Sequence, residues 1–195
     1  MTTLALALPP ARAAERPLYR VGVVIAGSLL VAVLAQVQFH LPFTPIPVTG
    51  QTFGVLLVGA ALGPELAVAS MLLYVAEGAV GLPFFAGEGH GWSLLTLSSA
   101  SGGYLWGFAA MGAVVGALAR RGWDRTLRSS ISAMLVGEIV LYAIGVPWLA
   151  AAAGIGIERA LVLGLYPFVV GDVLKLLAAA GLLPAAWRLT RPSER

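Results

Sequence analysis

The sequence predicts an all-α integral membrane protein with six transmembrane helices and both termini in the cytoplasm. Three observations carry that prediction. Of 195 residues, 59% are hydrophobic and 11% charged, whereas a soluble domain carries roughly 25% charged residues. Apolar stretches near the roughly 20 residues that a span requires recur along the chain. The arginines gather at the ends of those stretches, in clusters at Arg12 to Arg20, Arg120 to Arg128 and Arg188 to Arg195. Such clusters mark topology rather than a nucleic-acid face.

The first span is expected from Tyr19 to Gln38, after a cytoplasmic tail of residues 1–18. A cleaved leader is the alternative there, but an apolar run near 20 residues exceeds the roughly 7 to 15 of a signal h-region. Residues 48–63, VTGQTFGVLLVGAALG, are short and glycine-interrupted. Charge decides in favour of a second span: only then do all three arginine clusters fall on one side, with the loops FHLPFTPIP and FFAGEGHGWSLLTLSSASGG, which lack Lys and Arg, on the other. The third span is read from Glu65 to Pro83, the fourth from Gly102 to Ala119, the fifth from Ser130 to Ala151, and the sixth between Leu161 and Trp187. GLP at 81–83 and GVP at 145–147 are both expected to close helices. The spans form one domain, residues 19–187, followed by a cytoplasmic tail of residues 188–195.

The prolines of PFTPIP, residues 42–47, hold the chain extended. The loop from Phe84 to Gly103 is too rich in Phe, Trp and Leu for a solvated linker, so it is expected to fold back onto the helices.

Several chemistries are excluded. The chain has no cysteine, hence no disulfide or thiolate metal site. Its only lysine, Lys175, does not follow a phosphate-binding glycine turn, so ATP hydrolysis by this chain is ruled out. His40 and His90 lack zinc-protease spacing and read as loop residues. SSASGG, residues 98–103, has no adjacent base to activate a serine. The chain therefore reads as a non-enzyme.

Against this background, FVVGDVLKLLAAAGLLP (168–184) stands out, because Asp172 and Lys175 lie inside an apolar run. Each charge costs roughly 2.5–3.5 kcal/mol at the bilayer centre, so the two cost roughly 5–7 kcal/mol. The thirteen Leu, Val and Phe residues between 161 and 183 return only about 0.3–0.6 kcal/mol each. The pair is therefore expected to face the protein interior. A spacing of three puts both on one helix face, and Pro167 and Gly171 place Asp172 in the first turn, where the helix dipole favours a carboxylate. Two readings stand: a ligand pocket reached from outside, or an ion pair that only orients helices. Glu138 is a further intramembrane acid; it forms a polar stripe with Tyr142 four residues on, or Tyr142 simply packs.

PIPVTGQTFGVLLVGAALGP (45–64), LLYVAEGAVGLPFFAG (72–87), SGGYLWGF (101–108), VPWLA (146–150) and YPFVVGDVLKLLAAA (166–180), in that order, resemble BioY, the biotin-binding S component of energy-coupling factor (ECF) transporters. The resemblance implies a six-helix membrane protein that captures biotin from outside and works with a transmembrane T component and two cytosolic ATPases. It implies no cofactor. Asp172 and Lys175 match the family's GDxxK motif and are implied to contact biotin, Asp172 through the ureido N–H groups. An apolar wall for the ring and tail would come from Phe84, Phe85, Trp92, Tyr142 and Trp148. Three departures are visible. The outer loop lacks the family's asparagine, leaving Glu88 or His90 as substitutes; Val170 stands where Pro is usual; and Glu65 stands where a basic residue is frequent. S components also resemble one another in using small residues of the first helix against the coupling subunit, and Gly22, Ala26, Ser28 and Ala32 offer such a surface. An S component for another vitamin is the nearest rival; a structural membrane subunit is the other.

Overall fold

A computed structural model describes residues 3–4 and 17–190. The expected tails, 1–18 and 188–195, fall largely outside the described residues. The fold is a helical bundle. Helix α1 (Pro17–Gln36) is followed by a two-stranded antiparallel ribbon, β1 (Gln38–Phe39) and β2 (Val48–Thr49), with Gln38 opposite Thr49. Then come α2 (Gln51–Leu62), α3 (Pro64–Ala79), α4 (Gly102–Arg120), α5 (Leu127–Ala153), α6 (Ile157–Gly164) and α7 (Val169–Thr190). Two 3-10 turns, Ala86–Glu88 and Trp92–Leu95, interrupt the loop between α3 and α4.

Four of these, Pro17–Gln36, Gly102–Arg120, Leu127–Ala153 and Val169–Arg188, are long and apolar enough to cross a membrane. The 12 residues of α2 rise only about 18 Å. Gly63, at φ 82, and Pro64 at the first position of α3 break the chain between the two. Residues 38–39 and 48–49 belong to the ribbon, so the first helix keeps its expected length of 20 residues but lies two residues earlier, and the second is shorter than expected. The sixth segment also differs: its apolar beginning, Leu161 to Gly164, belongs to the separate short α6, and α7 starts at Val169 with Asp172 in its first turn. GVP does not close α5. Pro147 lies inside it and the helix runs on to Gly154, whose left-handed conformation ends it (φ 64).

Glycines set how closely the helices approach. A Cβ on Gly116 of α4 would lie 2.5 Å from the backbone of Gly63 and Pro64, and one on Gly145 of α5 would lie 2.5 Å from the Tyr104 ring. The outer loop folds inward as expected. Phe85 is 2% exposed, meets Tyr74 edge to face at 5.5 Å, and lies where a Cβ on Gly78 would be. Tyr74 Oη donates to the Phe84 carbonyl (3.2 Å), and Gln36 Nε2 donates to the Phe85 carbonyl (3.1 Å).

One end of the bundle gathers charge. Arg120 pairs with Glu65, so the acid that departs from the family pattern has a cation of its own. Nearby in sequence, Trp187 Nε1 donates to Asp124, and the Arg125 guanidinium lies 4.9 Å above the Trp187 ring. Burial pushes the Asp124 carboxyl up, opposed by the Trp187 hydrogen bond. A raised folded-state value means that this group's contribution is greatest below its unfolded value near 3.8 and is lost as pH rises through the folded one. Asp124→Asn retains an acceptor for the indole without the buried charge. It is expected to leave the melting temperature unchanged or higher at pH 7 and to flatten its acid-side pH dependence, measured by thermal unfolding in detergent.

Candidate ligand-binding site

At the other end of the bundle, the ribbon, the outer loop and the first turn of α7 enclose a cavity of about 200 Å³. Thr49, Gln51 and Thr52 enter from the ribbon and the start of α2, Phe85 and Ser99 from the outer loop, Tyr104 and Phe108 from α4, Tyr142 from α5, and Asp172 and Lys175 from α7. Most of the wall is apolar; its charged groups, Asp172 and Lys175, converge at one place.

That place is Asp172, 5% exposed. Its Oδ1 accepts from Lys175 Nζ (2.9 Å) and from Thr52 Oγ1 (3.2 Å), and its Oδ2 accepts from Tyr142 Oη. Lys175 Nζ also donates to Thr52 Oγ1 at 3.1 Å. A buried carboxylate needs such partners, since an uncompensated one costs several kcal/mol. A carboxylate offers about four lone-pair sites and an ammonium three donors. Three acceptor sites and two donors are used, leaving one acceptor site on Oδ2 and one N–H on Lys175. The arrangement can therefore take one donor and give one hydrogen bond within the cavity without breaking any bond it already holds.

A second polar chain supports the opposite wall. Thr49 Oγ1 donates to Gln51 Oε1 (2.9 Å), and Gln51 Nε2 donates to Tyr74 Oη (2.6 Å), which itself donates to the Phe84 carbonyl. Tyr74→Phe removes the link between α2 and the outer loop. Faster amide exchange of residues 84–95, by at least about tenfold for one lost buried bond, is the expected result in hydrogen-exchange mass spectrometry.

A model of the BioY family matches residues 10–192. The chain belongs to the BioY family. It is 34% identical over 160 residues to the biotin transporter BioY of Rhizobium etli, covering 78% of this chain and 84% of that one. It is also 37% identical over 142 residues to a probable biotin transporter BioY of Pyrococcus horikoshii, covering 73% and 81%. The crystal structure of an S-component for biotin from an ECF-type ABC transporter superposes with a TM-score of 0.78 at 21% identity, covering 88% of this chain and 92% of that one. That likeness shows the shared fold. With four apolar helices of spanning length, this BioY family member is a multi-pass membrane protein.

Of the residues singled out in the sequence, Asp172, Lys175, Tyr142 and Phe85 come together around the cavity. Phe84, Trp92 and Glu88 lie outside its wall. Trp92 is 62% exposed; Glu88, at φ 59, is exposed and held by its backbone N–H to Gln36 Oε1 (3.1 Å); Phe84 packs against the core's edge. Trp148 covers Gly102 and Gly103 and donates to the Ser99 carbonyl (3.0 Å), which makes it part of the packing behind the wall. His40 reaches the wall and His90 does not. Sequence reasoning passed over Gln51, Thr52 and Tyr104. The first two stand in the PVTGQT motif, whose paired polar residues at a helix start were the available signal; Tyr104, in SGGYLWGF, had none.

On α1, Gly22 and Ala26 are exposed, and a Cβ on Gly22 would meet nothing within 4 Å. Ser28 and Ala32 are buried in the chain's own bundle, Ser28 donating to Glu77. The expected outward strip of small residues therefore ends at Ala26. The four positions read as one strip in sequence, but Ser28 and Ala32 lie on the face that α3 covers.

Proposed function

We propose that this protein captures biotin at the outer face of the cytoplasmic membrane as the S component of an ECF-type transporter, with Asp172 and Lys175 as its principal polar contacts. The observation that carries the reading is the pair of unused hydrogen-bonding sites at the cavity wall: one acceptor site on Asp172 Oδ2 beside one donor on Lys175. A ureido ring presents an N–H and a carbonyl on adjacent atoms, and its uncharged ring and aliphatic tail suit the apolar remainder of the wall. The names of the relatives in Rhizobium etli and Pyrococcus horikoshii agree with this ligand.

In this reading the chain crosses the membrane six times, α2 and α3 each making a short crossing, and both termini are cytoplasmic. The end carrying Arg120, Arg125 and Arg188 then faces inward, in keeping with the positive-inside bias; Arg159 on α6 is an outward exception. The cavity opens outward. A transmembrane T component would pack on the exposed Gly22 and Ala26 face of α1, where small residues permit close approach, and two cytosolic ATPases would supply the energy.

Equilibrium binding of radiolabelled biotin to the purified protein tests the function, with riboflavin and thiamine as competitors. Saturable biotin binding that neither competitor displaces is expected; absence of biotin binding, or displacement by another vitamin, would refute it. Thr52→Val, which removes the hydroxyl that bridges Asp172 and Lys175, is expected to weaken biotin binding by about tenfold, on the order of 1.4 kcal/mol.

A further inference from the structure

A second cavity, of about 490 Å³, lies between α5, α6 and α7. Ile139, Leu161 and Val173 are among the apolar residues that line it, and Ile139 and Val173 are 60% and 48% exposed, so its mouth is on the lipid-facing side of the bundle. Tyr142 and Asp172 belong to both cavities and form the partition between them. The feature that sets this cavity apart is Glu138. It lines the wall, is 4% exposed, and neither carboxyl oxygen has a hydrogen-bond partner among the described residues.

A buried carboxyl without a partner costs free energy that a ligand can recover, and an intramembrane acid is by default a functional group. Among the described residues, the wall of this cavity contains no Lys or Arg. Across the partition, Asp172 already holds Lys175, so the Glu138 carboxyl has no ammonium of its own in this part of the bundle. The depth of Glu138 narrows the choice further. It lies eleven residues into α5, about 17 Å along the helix, which is about half of the roughly 30 Å hydrocarbon core. A phospholipid headgroup does not reach that depth. A single-chain amine can enter as the uncharged base and take the proton of the Glu138 carboxyl there, leaving an ammonium–carboxylate pair.

We propose that the cavity between α5, α6 and α7 is a second binding site, entered from the bilayer, for a lipophilic primary amine whose ammonium is received by Glu138 and whose alkyl chain lies along Ile139, Leu161 and Val173. The cavity volume falls within the roughly 300–1,000 Å³ of small-molecule sites. Pairing with Glu138 supplies the one polar contact that an otherwise apolar site needs for selectivity.

The test uses the full chain in phosphatidylcholine nanodiscs and a dodecylamine carrying a diazirine in its chain. Photolabelling of peptides from α5 and α7 is expected to saturate and to be displaced by dodecylamine but not by dodecanol. In Glu138→Gln it is expected to fall by at least about tenfold, as for loss of one partner of a buried ion pair. Ala143→Leu places bulk in the same cavity while keeping Glu138, and is expected to lower labelling with unchanged elution on gel filtration. Non-saturating labelling, equal displacement by dodecanol, or equal labelling of wild type and Glu138→Gln would each overturn the proposal.

Discussion

Asp172→Asn is expected to weaken biotin binding by at least about a hundredfold, near 2.7 kcal/mol, the scale for truncating one partner of a buried, hydrogen-bonded charge pair. Asparagine is nearly isosteric and still accepts from one side, so the bundle should persist. The loss has two sources. Lys175, its side chain only 19% exposed, is left without its counter-ion, and the acceptor site on Oδ2 that suits a ureido N–H becomes an amide or turns away. Lys175→Met removes the cation but leaves Asp172 bonded to Thr52 and Tyr142. Its effect should be smaller than that of Asp172→Asn. The double variant should cost less than the sum of the two, because both act on one network; isothermal titration of the four proteins reads this directly. An additive result would mean that the two residues act separately.

The second large effect is on stability. Gly116→Ala puts a methyl group 2.5 Å from Gly63 C and Pro64 N, and 2.9 Å from the Gly59 carbonyl oxygen. These are backbone atoms at the break between α2 and α3, and no side chain can rotate away to make room. Overpacking of this kind costs about 1–3 kcal/mol, and here the movement required would separate α4 from the α2–α3 junction. A clear fall in melting temperature is expected. Gly181→Ala is the matched control: it is also helical, on α7, with nothing within 4 Å of the added Cβ, and should not destabilise. Equal behaviour of the two variants in a thermal-unfolding assay would contradict the packing at Gly116.

How much of this could be read from the sequence follows from the range of each signal. Hydropathy and arginine placement act over one helix and its flanks, so α1, α4, α5 and α7 were legible within a few residues. Pro167 and Gly171 also placed Asp172 in the first turn of α7, as found; the separate helix α6 was not legible, because Leu161 to Leu165 carries no charge that would set it apart from the span that follows. Asp172 and Lys175 were visible because two charges in an apolar run carry an insertion cost that a position inside the bundle relieves. Thr52, 120 residues away from Asp172, was not, since a threonine in a membrane helix carries no comparable cost. Direction was the other gap. Trp92 and Phe84 have the composition of a ligand wall, and Ser28 and Ala32 that of a helix interface, but a loop's fold and a helix's rotation are decided by what packs on them.

The most direct measurement is a structure of this protein determined with biotin bound. The ureido ring is expected in the cavity enclosed by α2, α4, α5 and α7, with its N–H within about 2.7–3.2 Å of Asp172 Oδ2 and its carbonyl facing Lys175. Biotin located elsewhere, or located in this cavity with Asp172 and Lys175 out of contact with it, would overturn the assignment of this site.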